Sequence, residues 1–330
     1  MELRWYDIVL PKIGIALDVA MYFTLPVYVV ILTILIKIRK DETFSSAFFS
    51  LMTSVGIADA LKILTFAFGP KLASYGWIPQ WFFLFGDNYA RWYNVFNQLF
   101  SYVQIVGALA IAFNRFTAYL LPFKHVQIWE GSRGRRLIWI CIILQWLAGL
   151  AGSLPLLHPA IGFRTVWNFD SYDNRSVYLL WRDGWDDAYN RIVLYPIKIP
   201  IGIVIFILYL IIFGVALAKQ TRGSAASTVS EVLALKMAVV GLLSTCGLFI
   251  YIVIVVISEK ICLNSSIYFF FYNAGNNLFA AVHPYALLIF SKSFRERCNS
   301  MLFGKTKLFG GGTTSSSSAF GNFILTTSRP

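Results

Sequence analysis

Val193-LYPIKIPIGIVIFILYLIIFGVA-Leu217 is a run of twenty-five residues with one charged side chain, Lys198. A helix of about 20 mostly apolar residues crosses the roughly 30 Å hydrocarbon core of a bilayer, so this run is long enough to span it. Six further runs share its character, at about 13–36, 44–68, 95–119, 137–157, 232–257 and 267–290. They are continuous rather than short and alternating, which predicts helices and not barrel strands. Composition agrees: 58% of residues are hydrophobic and 13% charged, where a soluble domain carries roughly 45–50% and about 25%. The predicted fold class is an all-α membrane protein, a seven-transmembrane helix bundle. No internal repeat or inverted symmetry relates the two halves, as it does in many secondary transporters.

Loop charge orients the bundle. With the N-terminus outside, the cytoplasmic loops and tail collect sixteen Lys and Arg against five acids, and the outer segments hold nine of each. The formal net charge of +12 therefore reports an N-out, C-in topology and attraction to an anionic inner leaflet, not a nucleic-acid partner. Residues 1–11 lack the basic start and small-residue cleavage pattern of a signal peptide, so the first run is expected to be a retained span. Cys141 and Cys246 fall within spans, Cys262 outside and Cys298 inside, so no extracellular disulfide is expected within the chain. Cys298, just past the last span, is a candidate for palmitoylation.

The longest loop, about 158–192, is rich in aromatic residues and aspartate. It reads either as a binding lid or as an interfacial tether. Two glycosylation sequons begin at Asn174 and Asn264, both in loops that the charge count places outside. Residues 1–303 form the bundle, ending in a basic segment after Phe290 that suits a short amphipathic helix. Residues 304–330 have too little apolar content to fold and are expected to be a disordered cytoplasmic tail. Its hydroxyls are candidate phosphorylation sites for an arrestin-like regulator, with a passive tail as the alternative.

Ionisable residues inside a membrane are costly and mark function or pair with one another. Asp59 lies mid-span, with Lys62 one turn away as a partner on the same face. Asp18, Lys62 and Lys198 all fall in the outer halves of their helices, where they line an outward cavity or, alternatively, pair as Asp18–Lys62 while Lys198 snorkels. Asn97, Gln104 and Arg115 return to nearly one face of the third span, with Tyr93 and Ser101 close by. That span is therefore expected at the centre of the bundle, with ligand-lining residues at its outer end and a switch residue, or a positive-inside anchor, at Arg115. In the seventh span, Pro284 frees a backbone carbonyl one turn earlier, which neighbouring polar side chains must satisfy.

Catalysis is disfavoured. His125 and His283 lie near one face and His158 near the other, so they cannot gather round a metal, and no hydrolase or phosphate-loop motif is present. No cofactor is expected. A receptor with an outward ligand cavity fits best, with a ligand-gated seven-helix channel or an orphan transporter as alternatives.

The third-span ending Asn114-Arg115-Phe116-Thr117-Ala118-Tyr119, followed by Pro122-Phe123-Lys124-His125 and Ile128-Trp129, resembles the nematode serpentine chemoreceptors. It is most similar to their class gamma superfamily, including its class V relatives. The run His283-Pro284-Tyr285-Ala286-Leu287-Leu288-Ile289-Phe290-Ser291 and the following Phe294-Arg295 fit the same group. The resemblance implies a G-protein-coupled-type receptor in the plasma membrane of a sensory cilium. It would take a small, pheromone-like ligand, acidic if the lysines meet it, and a heterotrimeric G protein as partner. Arg115 would correspond to the arginine of the rhodopsin-like Asp-Arg-Tyr motif and Asp59 to the second-span aspartate of that superfamily. Asn114 replaces the acid, His283 stands where asparagine precedes proline, Tyr285 follows Pro284 directly, and the usual extracellular disulfide is missing. The expected site is Asn97, Gln104, Lys62, Lys198 and Tyr93 for ligand, with Arg115, Asn114, Asp59, His283, Pro284 and Tyr285 as switch residues.

Overall fold

The computed structural model describes residues 5–39, 46–72, 79–167, 177–181, 188–221, 265–303 and most of 239–257. The sequons at Asn174 and Asn264, Cys262, the 222–238 segment and the tail from 304 lie outside the described residues. The helices are α1 (Trp5–Ile38), α2 (Ala47–Phe66), α3 (Pro79–Leu120), α4 (Pro122–Trp129), α5 (Gly131–Ser153), α6 (Ile199–Thr221), α7 (Gly241–Ile254), α8 (Ser265–Phe290) and α9 (Lys292–Phe303). Among the described residues, five segments are long and apolar enough to cross a membrane: Lys12–Ile38, Ala47–Gly69, Gln80–Leu120, Gly131–Leu157 and Arg191–Ala218. They coincide with the first five apolar runs of the sequence. The other two runs hold α7, which is shorter, and α8.

The polar stripe on α3 has the consequence expected of it. In its apolar window 72% of residues are buried, against 28% in α5 and in α6, so α3 forms the axis of the bundle. Both α2 and α5 pack against it, and α1 packs against α2 and α8. Gly149 and Gly152 let α5 approach closely, because a Cβ there would lie 2.5 Å from Val103 and 2.4 Å from Tyr102. One core cluster joins Ile38, Phe48, Leu51, Trp129, Leu287 and Phe294 across α1, α2, α4, α8 and α9. A second, including Ile105, Ile205, Tyr209, Leu248 and Phe279, joins α3, α6, α7 and α8.

The short helix expected after the last span is present as α9. It buries Phe294 and Cys298, one turn apart, and exposes Arg295, Glu296 and Arg297. Cys298 turns its thiol into the first core cluster, and burial pushes the thiol pKa up, which makes it a poor nucleophile for acylation.

Three elements differ from the sequence reading. First, α3 begins at Pro79 rather than near 95. Asp87, Asn88, Arg91 and Asn94 lower the hydropathy of that stretch without breaking the helix, and the bend falls at Gly86, whose φ of 52° suits glycine. Second, α4 opens with proline at its first turn, where the missing N–H costs nothing. Third, the long loop contains an antiparallel hairpin of β1 (Phe163–Trp167) and β2 (Val177–Trp181), with Phe163 opposite Trp181.

That hairpin and the segment leading into it are fastened to α3 by hydrogen bonds. Arg91 donates to the carbonyls of Leu157, His158 and Ile161 at 3.1–3.3 Å, and its guanidinium lies 5.8 Å from the Phe163 ring. Thr165 donates its N–H to Asp87 Oδ1 at 3.1 Å and its hydroxyl to the Gly86 carbonyl at 2.8 Å. The two ends of the bundle are therefore distinct: a hairpin end, and an end carrying α4 and α9.

Candidate functional site

Asp59 sits on α2 at the centre of the bundle with no exposed surface. A carboxylate there must be hydrogen-bonded, and three other helices supply donors. Gln104 on α3 donates to Oδ1 at 2.6 Å, Tyr28 on α1 donates to Oδ2 at 2.7 Å, and His283 Nδ1 on α8 lies 3.0 Å from Oδ2. The Tyr28 hydroxyl also hydrogen-bonds the Ala280 carbonyl. That carbonyl is the one left without its helical donor by Pro284, four residues on. Tyr285 continues the α1–α8 seam, its hydroxyl 3.0 Å from Thr24 Oγ1. One buried acid thus ties four helices together and repairs the proline defect beside it.

One turn along α2, Lys62 is also buried but does not turn to Asp59. Its ammonium donates to the Asn97 backbone carbonyl at 2.8 Å and to the Asn97 side-chain oxygen, and lies 5.3 Å from the Phe66 ring. Lys198 reaches the same level from α6. The turn before α6 winds as a π-helix over Asn190–Lys198, with Pro196 inside it, a distortion frequent at functional sites. Lys198 ends that segment fully buried, not snorkelling. It donates to Gln98 Oε1 at 2.8 Å and Ser101 Oγ at 2.9 Å, over the Tyr102 ring at 4.6 Å. Both ammonium groups are thus held by the same stretch of α3, Asn97 to Ser101. Tyr93 packs its ring on Gly69, in the π-helical turn Ala67–Lys71 that ends α2.

Asp18 does not pair with Lys62. Its Oδ2 lies 2.6 Å from Lys71 Nζ, and Asn277 donates to its Oδ1 at 3.4 Å. Asp18, Tyr22, Lys62, Lys71, Asn276 and Asn277 surround a cavity of about 20 Å³ among α1, α2 and α8, enough for one water-sized group.

At the opposite end of α3, the Arg115 guanidinium stacks on the Phe48 ring of α2, 3.4 Å from its centroid. Among the described residues, its Nε and the buried Asn114 Nδ2 have no hydrogen-bond partner. The adjoining α4 is locked to α3 through Thr117, which donates to the Asn114 carbonyl at 3.0 Å and accepts from Trp129 Nε1 at 2.9 Å. His125 Nδ1 lies 3.0 Å from the same hydroxyl. Because the hydroxyl proton is committed to Asn114, the ring donates from Nδ1. Burial holds the His125 pKa below its ordinary 6.5, Arg115 acts in the same direction and Glu130 opposes them.

A bundle with a buried acid on α2, an arginine ending α3 and a proline in α8 calls for comparison with receptors. The model of the Serpentine type 7TM GPCR chemoreceptor Srv family matches residues 19–304. The chain belongs to that family. It is also 27% identical over 191 residues to Serpentine receptor class V-1 of Caenorhabditis elegans, a stretch covering 58% of this chain and 58% of that relative. Srv proteins are multi-pass membrane receptors of the chemoreceptor type, not enzymes.

Within this Srv chain, the structure brings Asp59, Gln104 and His283 into one cluster and Lys62 with Asn97 into another, and sets Arg115 and Asn114 apart at the far end. Three participants were missed in the sequence. Tyr28 and Phe48 lie in apolar runs of the first two spans, and Gln98 lies one position off the polar stripe. The free carbonyl that Pro284 leaves was the signal for Tyr28. Phe48 carried none.

Proposed function

We propose that this Srv protein is a plasma-membrane chemoreceptor whose hairpin end faces outward and binds a small acidic ligand beside Lys62 and Lys198. The observation carrying this reading is a pair of buried ammonium groups held on one stretch of α3 by the neutral side chains of Asn97, Gln98 and Ser101. Burying two like charges is costly, and a ligand carboxylate between them offsets that cost. Tyr93 and Asn97 complete the wall. Gln104 reports occupancy one turn deeper, because it links the same face of α3 to Asp59.

The end carrying α4 and α9 faces the cytoplasm and a heterotrimeric G protein. Arg115 leaves Phe48 on activation and meets the G protein, with Asn114, His283, Pro284 and Tyr285 on the path from the ligand. The bundle crosses the membrane seven times, with α7 and α8 as the last two spans. Asn174 and Asn264 carry glycans, and the phosphorylated 304–330 tail recruits an arrestin-like regulator.

Guanine-nucleotide exchange in membranes expressing the chain, screened against pooled acidic and neutral metabolites, tests the whole reading. Stimulated exchange that vanishes in Arg115→Ala, with surface expression intact, is the expected result. Absence of exchange alongside an agonist-gated current overturns it. An N-terminal tag should be reachable by antibody on intact cells; protection until permeabilisation reverses the topology.

A further inference from the structure

At the α9 end of the bundle, an open groove of about 530 Å³ runs along α5, lined by Ser132, Arg135, Arg136, Trp139 and Ile140. These residues are spaced three, four, seven and eight apart, so they share one face of the helix. All are exposed, Trp139 and Ile140 by 64% and 51%. The same face continues toward the hairpin end through exposed Ile143 and Leu147. Read along α5, the face presents a hydroxyl, two guanidinium groups, an indole and then only hydrocarbon.

That order matches a membrane lipid: a charged headgroup, the interfacial level where tryptophan gathers, and acyl chains. No acidic side chain pairs with Arg135 or Arg136 among the described residues. Guanidinium is the side chain best suited to bidentate contact with phosphate. On the proposed topology, the loops at this end carry the chain's excess positive charge, which favours an anionic leaflet.

We infer that the Ser132–Ile140 groove is a binding site for an anionic phospholipid, its phosphate on Arg135, Arg136 and Ser132 and its chains along Trp139, Ile140, Ile143 and Leu147. The site rests on the cytoplasmic placement of this end proposed above, and not on which small ligand the receptor takes or on what it couples to. The alternative occupant is the bulk bilayer, with the arginines acting as topology anchors that select no lipid.

The test uses the full chain in nanodiscs of phosphatidylcholine containing a minor fraction of lipid with brominated acyl chains, which quench nearby indoles. Subtracting a Trp139→Phe sample isolates the fluorescence of Trp139. Brominated phosphatidylserine should quench that component at a lower lipid fraction than brominated phosphatidylcholine does, by roughly fivefold for each arginine engaged. Arg135→Gln with Arg136→Gln should abolish the preference, while Arg133→Gln, exposed but off the groove, should keep it. Equal quenching by the two lipids in the unmodified protein overturns the inference. So does a preference that survives the double substitution. Inorganic phosphate added to the wild type should leave the preference in place; its loss would reassign the arginines to free phosphate.

Discussion

Asp59 and Lys62 are one helical turn apart on α2, both are buried, and both face α3, yet they are solved in opposite ways. The carboxylate collects donors from Tyr28, Gln104 and His283 on three different helices. The ammonium takes the two Asn97 oxygens, and a second ammonium, Lys198, is held by Gln98 and Ser101 on the same stretch of α3. A buried charge ringed by oriented donors is a structural rivet. A buried charge near its own kind, on the proposed function, is tolerated for what it binds. The contrast assigns stability to the middle of the bundle and, on the proposed function, recognition to the hairpin end.

The largest effect is expected at Asp59. Asp59→Ala leaves Gln104 and His283 buried without the acceptor they share and should cost about 3–5 kcal/mol, read as lost thermal stability of the purified receptor. If it unfolds no earlier than the wild type, the rivet is not one. Lys198→Met should act in the other direction, neutral or stabilising by about 1–4 kcal/mol without ligand; a loss as large as that of Asp59→Ala would erase the distinction. Tyr28→Phe removes the donor shared by Asp59 and the Ala280 carbonyl and should cost about 1–3 kcal/mol, sharpening how much of the rivet is the repair of Pro284.

At the far end, Phe48→Leu keeps the packing but removes the ring under Arg115. An exposed-to-buried cation–π contact is worth about 1 kcal/mol or more, so basal nucleotide exchange should rise severalfold, and unchanged basal exchange would deny Phe48 that role. The smallest effect is at His125. Its pKa is lowered in the fold, so the unfolded chain binds the proton more readily and stability increases with pH. The contribution is complete above about 6.5 and declines as pH falls toward the lowered value. His125→Asn should flatten that decline in a melting series.

The helices were largely legible in the sequence, because hydropathy alone separates lipid-crossing runs from loops, and the central place of α3 followed from its polar stripe. Pairing was less legible. Asp59 with Lys62, and Asp18 with Lys62, both satisfied charge and spacing, but helix rotation decides partners, and it turns Lys62 to Asn97 and Asp18 to Lys71. Burial of Lys198 was hidden because the π-helical turn before α6 changes the angle at which that side chain leaves the helix. The hairpin was missed because its two strands are short and separated by residues 168–176.

The most direct test of the central claim compares an activating carboxylic acid with its methyl ester in guanine-nucleotide exchange, in wild type and Lys198→Met. The account predicts exchange with the acid only, lost in Lys198→Met while the folded receptor still reaches the surface. Equal responses to acid and ester, unchanged by Lys198→Met, would contradict it.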